Sequence, residues 1–428
     1  MTPEELAYWY WLTDIKGIGP IISKKLLDEF GSPTEVFNAA QSEIVLRTGV
    51  RDSLADNIER WKKEIGRYIR LAENQVRVAK SVNGHILTSE DSPYAEFYRS
   101  HNGDRALLPV IHAIGDITCL NGRAFAIVGT RSPSDDAKGK AHELAYNLAT
   151  AGLTIVSGLA LGIDEMAHRG ALEAGGKTIA VLGCGADIKY PPENASLYKR
   201  IIDGGLIVSE LPFGTRPTSE NLRKRNRTII SISEAVVVAQ CSLQSGAMIA
   251  ARFAAQQRKP IFTFRYAETA NNLGGEWLIG KSLAVELKDT TADSFLRMLD
   301  SYQEIPANID KIFSEIWPKK PRKSATAIKT AKPRKAKSKT KARQAVGDSR
   351  ETTQPTMALG DLAALEGAAD QRGKVFNFKP GDSVMHSMFG KGEIVNVAKS
   401  GNDYQISVRF SGGEIRTLSW QYATLTKL

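Results

Sequence analysis

The stretch "AFAIVGTRSPSDDAKGKAHELAYNLATAGLTIVSG", Ala124 to Gly158, decides the fold. It opens on an apolar run, passes through a loop of glycine and hydroxyl residues, continues with helical spacing and closes on a second apolar run. Four more runs repeat the rhythm downstream: "KTIAVLG", "LIVSE", "AVVVAQ" and "PIFTF". Continuous Val, Ile and Leu without polar alternation suits strands covered on both faces, and helical segments between them suit parallel crossovers. The expectation is an α/β, Rossmann-like, doubly wound and mostly parallel sheet.

Ligands of such sheets bind outside the carboxyl ends of the strands, where helix N-termini present free N–H groups. The loops there are "GTRSPS", "SGLALGID", "GCGAD", "SELPFGT" and "SLQSGA", an anion-ready rim. The first lacks the third glycine of a dinucleotide fingerprint, and no acid stands where a ribose contact would be expected. Arg131 occupies the position of a cofactor's pyrophosphate, where a guanidinium suits a phosphodiester held bidentately. "RPTSENLRKRNRTIISIS" starts after another strand and places Arg223, Lys224, Arg225 and Arg227 around Asn226, with Ser219 or Asn221 as helix cap. Near a helix start these cations extend the phosphate track, or form a solvated cationic helix end.

Catalysis would need a nucleophile with its base, paired carboxylates or a metal. Ser157, Asp164 and His168 are close in sequence, but "IVSGL" is not a nucleophile elbow, and His168 reads as a capping or packing residue. Ser245 in "QSGAM" reads as a helix N-cap over a glycine turn. No enzyme activity, metal or cofactor is expected. Cys119, Cys184 and Cys241 are far apart and indicate neither a disulfide framework nor a zinc site. With no long apolar run and no signal-peptide pattern at "MTPEELAYWYW", no membrane association is expected, and a reducing cytoplasm is.

The chain has 428 residues and a net charge of +10. Twelve Lys or Arg and no acid lie between Lys319 and Arg343, so without that tract the chain is slightly acidic. The tract has almost no large apolar side chain and reads as a disordered linker, either a solvated spacer or a nonspecific attractor of phosphates. Residues 1–80 read as helices, 81–305 as the Rossmann-like core, 306–370 as the linker and 371–428 as a small antiparallel barrel with short alternating strands broken by glycines. In the barrel, Phe389, Trp420 and Tyr422 either close the core or anchor a partner.

Among the helices, "DIKGIGPIISKKLLDEFGS" sets Gly17 and Gly19 between Ile15, Ile18 and a following helix, which resembles the helix-hairpin-helix motif. The two glycines either contact DNA backbone or make only a tight turn. "LRTGVRDSLADNIERW" reads as a degenerate second copy.

"AIVGTR", "IVSGLALGIDEMAHRGALEAGGKTIAVLGCGADIKYPPEN", "SELPFGTRP", "RKRNRTII" and "SGAMIAARFA" closely resemble the DNA-processing protein A family, DprA or Smf. The resemblance implies a nonenzymatic, sequence-independent binder of single-stranded DNA that dimerises and helps load the RecA recombinase in natural transformation or recombination. It assigns DNA contacts to Gly129, Thr130 and Arg131, to Ser157 and Gly158, to Arg225, Asn226 and Arg227, and to Ser245 and Gly246. Leu161, Leu222, Arg223 and Glu276 depart from the family pattern. A nucleotide-ligand sensor or hydrolase on a related fold is the alternative, with Glu276 as its carboxylate. The C-terminal segment resembles the Tudor-like domain of the UvrD and PcrA helicases, through Gly381, Asp382, His386, Phe389, Gly390, Gly392, Phe410 and Tyr422. That resemblance implies RNA polymerase as a partner.

Overall fold

The structure is a computed structural model that describes residues 1–101, 107–267, 272–302, 306, 308–317, 379–386, 390–400, 403–410, 415–419 and 425–427. The chain divides into two compact units, Met1–Ala325 and Thr326–Leu428. The expected helical and Rossmann-like regions therefore belong to one unit.

The six expected strands all form: β3 (Ala124–Val128), β4 (Thr154–Ser157), β5 (Thr178–Val181), β6 (Leu206–Ser209), β7 (Ala235–Val238) and β8 (Ile261–Phe264). Three further strands complete the sheet: β1 (Gly84–Thr88), β2 (Val110–Gly115) and β9 (Val285–Leu287). The order is β1-β2-β6-β5-β4-β3-β7-β8-β9. All pairings from β6 to β9 are parallel, while β2 joins β6 and β1 joins β2 antiparallel.

The strand alternation sorts side chains onto two buried layers. Ala126, Val128, Val236 and Val238 point into one core, and Phe125, Ile127, Ala235 and Val237 into the other. Both faces are covered by helices, so β3 to β8 are buried at every position, and the hydroxyls of Ser157, Thr178 and Thr263 are absorbed by carbonyls of neighbouring strands. Side chains supply the helix starts. Ser134 Oγ accepts from Ala137 N–H at 3.3 Å, and Thr218 Oγ1 accepts from Asn221 N–H at 3.1 Å. Thr218, not Ser219 or Asn221, is thus the cap of helix Ser219–Ile232. A hydroxyl cap one residue earlier leaves both of those inside the first turn.

Six helices precede β1, packed around Trp11, Leu12, Leu26, Ile44 and Ile58. They are fastened to the sheet. Tyr10 Oη lies 2.8 Å from His112 Nε2, and the Gln75 amide exchanges two hydrogen bonds with the Phe213 backbone at 3.1 and 2.7 Å. Burial pushes the His112 pKa down to about 3, so the imidazole stays neutral at this joint.

The core also continues past residue 305, where the linker was expected to begin. Helix Ile309–Phe313 lays Phe313 against Trp277, ring centroids 5.3 Å apart, and Phe313 is fully buried. Ile309, Ile312 and Phe313 hold this turn by apolar burial, so the first part of the expected linker belongs to the core. The tract from Lys319 to Arg343 lies outside the described residues.

In the second unit, β10 (Ser383–His386), β11 (Gly390–Ser400), β12 (Asp403–Phe410), β13 (Ile415–Ser419) and β14 (Leu425–Lys427) form an antiparallel sheet in the order β13-β12-β11-β10-β14. Val384, Ile394, Ile406 and Val408 are buried. A Cβ on Gly392 would lie 2.6 Å from Val408 Cγ1, which explains that glycine. Phe389, Trp420 and Tyr422 lie outside the described residues.

Candidate functional site

Strand β3 has β4 on one side and β7 on the other. The chain winds from β3 through β4 and β5 to β6, then crosses back to β7, so the loops after β3 and β7 diverge. Such a point opens a crevice at the carboxyl edge.

The loop after β3 is held tightly on the crevice wall. Thr130 N–H donates to the Gln240 carbonyl at 2.8 Å, and Ile163 N–H donates to the Thr130 carbonyl at 3.2 Å. Two glycines make this approach possible. A Cβ on Gly129 would lie 2.5 Å from Ile163 Cγ1, and one on Gly162, where φ is +81°, would lie 2.5 Å from the Thr130 carbonyl oxygen. The buried Gln240 side chain accepts from Ser134 N–H at 2.9 Å and donates to Ser134 Oγ at 3.1 Å. On this fixed loop Arg131 is exposed, and no ion pair is found for it among the described residues.

Across the crevice, Ser245 caps helix Gly246–Gln256 by accepting from Met248 N–H at 3.3 Å, leaving Gly246 exposed. Helix Ser219–Ile232 crosses the strand ends. A Cβ on Gly183, just after β5, would lie 2.8 Å from Leu222 Cα, and Asn226 Nδ2 donates to the Gly246 carbonyl at 3.1 Å.

The basic cluster on that helix splits by helical face. Arg223 and Lys224 point to solvent, with Lys224 paired to Glu220 at 2.7 Å. Arg225 points inward and is 9% exposed. Its Nη1 donates to the carbonyls of Gly158 and Val181, and its Nη2 lies 4.0 Å from Asp164 Oδ2. Asp164 in turn accepts from Gly158 N–H at 3.2 Å, and the backbone amides of Ala160 and Gly129 also favour its charged form. Burial pushes the Asp164 carboxyl up from its ordinary value, against the pull of Arg225 and those amides. This buried pair ties the loops after β3, β4 and β5 to one helix.

Arg225 and Asn226, expected as phosphate contacts in the groove, are placed almost wholly out of solvent. Arg225 lies four and seven residues before Ile229 and Ile232, on the same buried stripe, so its guanidinium is spent on backbone carbonyls. Asn226 is 9% exposed and ties two helices together. Arg227 is half-buried against Glu210, which also accepts from Leu108 N–H at 3.2 Å. Ser157 is fully buried and donates from Oγ to the Ile127 carbonyl at 2.6 Å, inside the sheet and not on the rim. Gly158 is buried under Arg225, where a Cβ would lie 2.2 Å from the guanidinium carbon.

Ser157, Asp164 and His168 form no proton-transfer chain. His168 Nδ1 is 2.7 Å from Thr178 Oγ1, whose own proton goes to the Ile155 carbonyl. The imidazole thus donates from Nδ1, and burial, with the Arg225 charge second, holds its pKa down at about 3. Glu276 lies 3.8 Å from Arg265, which also reaches Glu286 at 3.3 Å. No group of three or more His, Cys, Asp or Glu among the described residues is placed to hold a metal. No described helix is long and apolar enough to cross a membrane.

The tie through Gln240 and the Arg225–Asp164 pair were not read from sequence. Arg225 could have been placed by its spacing to Ile229 and Ile232; Gln240 carried no signal. Gly17, with φ +99°, and Gly19 sit apart from the rim, in the turn before helix Pro20–Phe30.

Residues 85–300 match the family of the DNA recombination-mediator protein A, and residues 381–427 match the PcrA/UvrD tudor domain. The chain is 33% identical over 267 residues to Protein Smf of Synechocystis sp., covering 61% of this chain and 65% of that protein, less than two thirds of its length. It is 34% identical over 224 residues to the DNA processing protein DprA of Bacillus subtilis, covering 51% of this chain and 72% of that one. The X-ray structure of DNA processing protein A from Streptococcus pneumoniae superposes with a TM-score of 0.55 at 25% identity, covering 70% of this chain and 98% of that chain.

Proposed function

The chain belongs to the DNA recombination-mediator protein A family, and from that premise we propose that its Rossmann-like core binds single-stranded DNA, without sequence preference and without catalysing a reaction, through the rim at the sheet's switch point. The observation that carries the reading is Arg131, an exposed guanidinium with no ion pair among the described residues, on a loop made rigid by Gly129, Gly162 and Gln240. Thr130, Ser245, Gly246, Arg223 and Lys224 line the same edge and extend the track. Arg225, Asn226, Ser157 and Gly158 serve it from below. Phosphate contacts of this kind give affinity without sequence information.

Fluorescence anisotropy with a labelled oligonucleotide, as single strand and as duplex across salt, tests the reading. Tight single-strand binding that weakens in the Arg131→Ala variant supports it. Undiminished binding in a folded Arg131→Ala protein overturns it. The alternative of a nucleotide-ligand enzyme is disfavoured because Glu276 is engaged by Arg265.

The family premise extends the proposal to a cytoplasmic homodimer that hands single strands to RecA during transformation or recombination. The tudor match extends it to a protein partner, RNA polymerase, for the C-terminal sheet. The basic tract adds nonspecific attraction to phosphates. Pull-down with RecA and with RNA polymerase, using the full chain and a chain ending before residue 371, separates these partners.

A further inference from the structure

The loop after β6, residues 210–218, reaches the same carboxyl edge as Arg131 and is held from three sides. From the N-terminal helices, the Gln75 side chain accepts from Phe213 N–H at 2.7 Å and donates to the Phe213 carbonyl at 3.1 Å. From the loop after β5, the Asp187 carboxylate accepts from Gly214 N–H at 2.8 Å, and Gly185 N–H donates to the Thr215 carbonyl at 2.8 Å. A Cβ on Gly185 would lie 2.7 Å from Gly214 N, so the two loops touch backbone to backbone. At the loop's start Glu210 takes the Leu108 N–H and pairs with Arg227.

Gln75 is the telling residue. It is 2% exposed on the stripe of helix Ile65–Ser81 that otherwise buries Tyr68, Ala72 and Ala79. An amide in such a place costs stability unless both its ends are bonded, and here both are spent on one residue of the rim loop, 138 positions away. The Phe213 ring itself stands edge-on to His112, centroids 5.1 Å apart, beside the contact between His112 and Tyr10.

Arg216 follows on this fixed backbone, two residues before the Thr218 cap. It is exposed, and no ion pair is found for it among the described residues. The carboxylates of this loop and of the segments beside it are engaged: Glu210 by Arg227, Asp187 by Gly214 and Glu220 by Lys224. Arg131 shows the same combination of a tethered backbone and an open guanidinium. Strands β4 and β5 separate β3 from β6, so the two loops leave the edge about 14 Å apart at the usual strand spacing. That is the rise of about four stacked nucleotides.

We propose that Arg216 is a further phosphate contact of the single-strand track, and that Gln75 is the positioning residue through which the N-terminal helices hold it in place. The contact rests on the rim reading and gives the track a second end.

The test is anisotropy on the full-length protein with a labelled single-stranded oligonucleotide across salt, using Arg216→Ala, Gln75→Met and the double variant. Circular dichroism and thermal melting check folding. For Arg216→Ala the expected result is an unchanged melting temperature, affinity lower by about tenfold and a salt slope smaller by roughly 0.7, one phosphate's share. Gln75→Met should lower affinity about threefold in the parent, by freeing a loop that binding must then order, and add almost nothing once Arg216 is gone. If Gln75→Met does not fold, Thr215→Val takes its place in the cycle, freeing the same loop from the bond of Thr215 Oγ1 to the Pro212 carbonyl at 2.6 Å. Unchanged affinity and slope in Arg216→Ala overturns the contact, and losses that multiply in the double variant overturn the positioning role. Failure of the rim reading shows separately, as single-strand binding that ignores Arg131→Ala.

Discussion

The loop after β3 and the helix Ser219–Ile232 both bring an arginine to the same sheet edge, and they use it in opposite ways. Arg131 stands exposed on a loop whose glycines press it against the next helix and strand. Arg225 is buried and gives its hydrogen bonds to Gly158 and Val181 beside Asp164. One cation is left open to solvent, and the other is consumed in shaping the surface on which the first stands. Positive charge in a sequence therefore does not by itself mark a ligand; the face of the element on which it falls does.

The largest expected effect breaks the buried half. Arg225→Met leaves Asp164 uncompensated and should cost about 3 to 5 kcal/mol of stability in urea or thermal unfolding. Adding Asp164→Asn should recover much of that, since no lone charge then stays inside. A stable single variant would mean that the pair is not a structural tie.

The second effect is acid lability of the buried interior. His168 and His112 have pKa values held down at about 3 against an ordinary 6.5, so the folded chain leaves them neutral while the unfolded chain takes up protons below about 6.5. The stabilisation is present above that pH and is lost as pH falls from 6.5 toward 3, at about 1.4 kcal/mol per pH unit per histidine. His168→Gln should flatten the acid limb of a stability-against-pH curve by one histidine's share. An unchanged limb would place the titration elsewhere.

Next comes the exposed half. Arg131→Ala should leave the melting temperature near that of the parent and weaken single-strand binding by about 1.5 to 3 kcal/mol, the size of a charge-assisted hydrogen bond. A fall in stability as large as that of Arg225→Met would erase the distinction between the two arginines. The smallest effect belongs to Lys224→Ala, which removes one exposed pair with Glu220 and should change stability by less than about 0.5 kcal/mol. Its effect on DNA affinity should stay below that of Arg131→Ala at every salt concentration.

Much of the core was legible beforehand. "AFAIV", "TIVS", "TIAV", "LIVS", "AVVV" and "IFTF" became β3 to β8 because strands covered on both faces are mostly apolar and admit only an occasional Ser or Thr whose hydroxyl bonds a neighbouring carbonyl. The outer strands were missed for the reverse reason. In β1, "GHILT" is only partly buried, and β9 has three residues with Val285 exposed, so neither carries a continuous apolar run. The short docked helix at Ile309–Phe313 was hidden by its nearness to the basic tract, and its packing, with Phe313 against Trp277 and Asp310 bonded to Arg252, shows that it belongs to the core.

The sequence by itself determined the sheet, the glycine-rich edge and the presence of cations there, because strand period, loop chemistry and charge are local properties of the chain. Only the tertiary structure decided which cations face solvent. That choice depends on what packs beneath helix Ser219–Ile232: the carbonyls of Gly158 and Val181 and the carboxylate of Asp164 lie 67, 44 and 61 positions from Arg225 along the chain. A buried guanidinium is tolerable only where such partners converge, and their convergence is a property of the folded sheet.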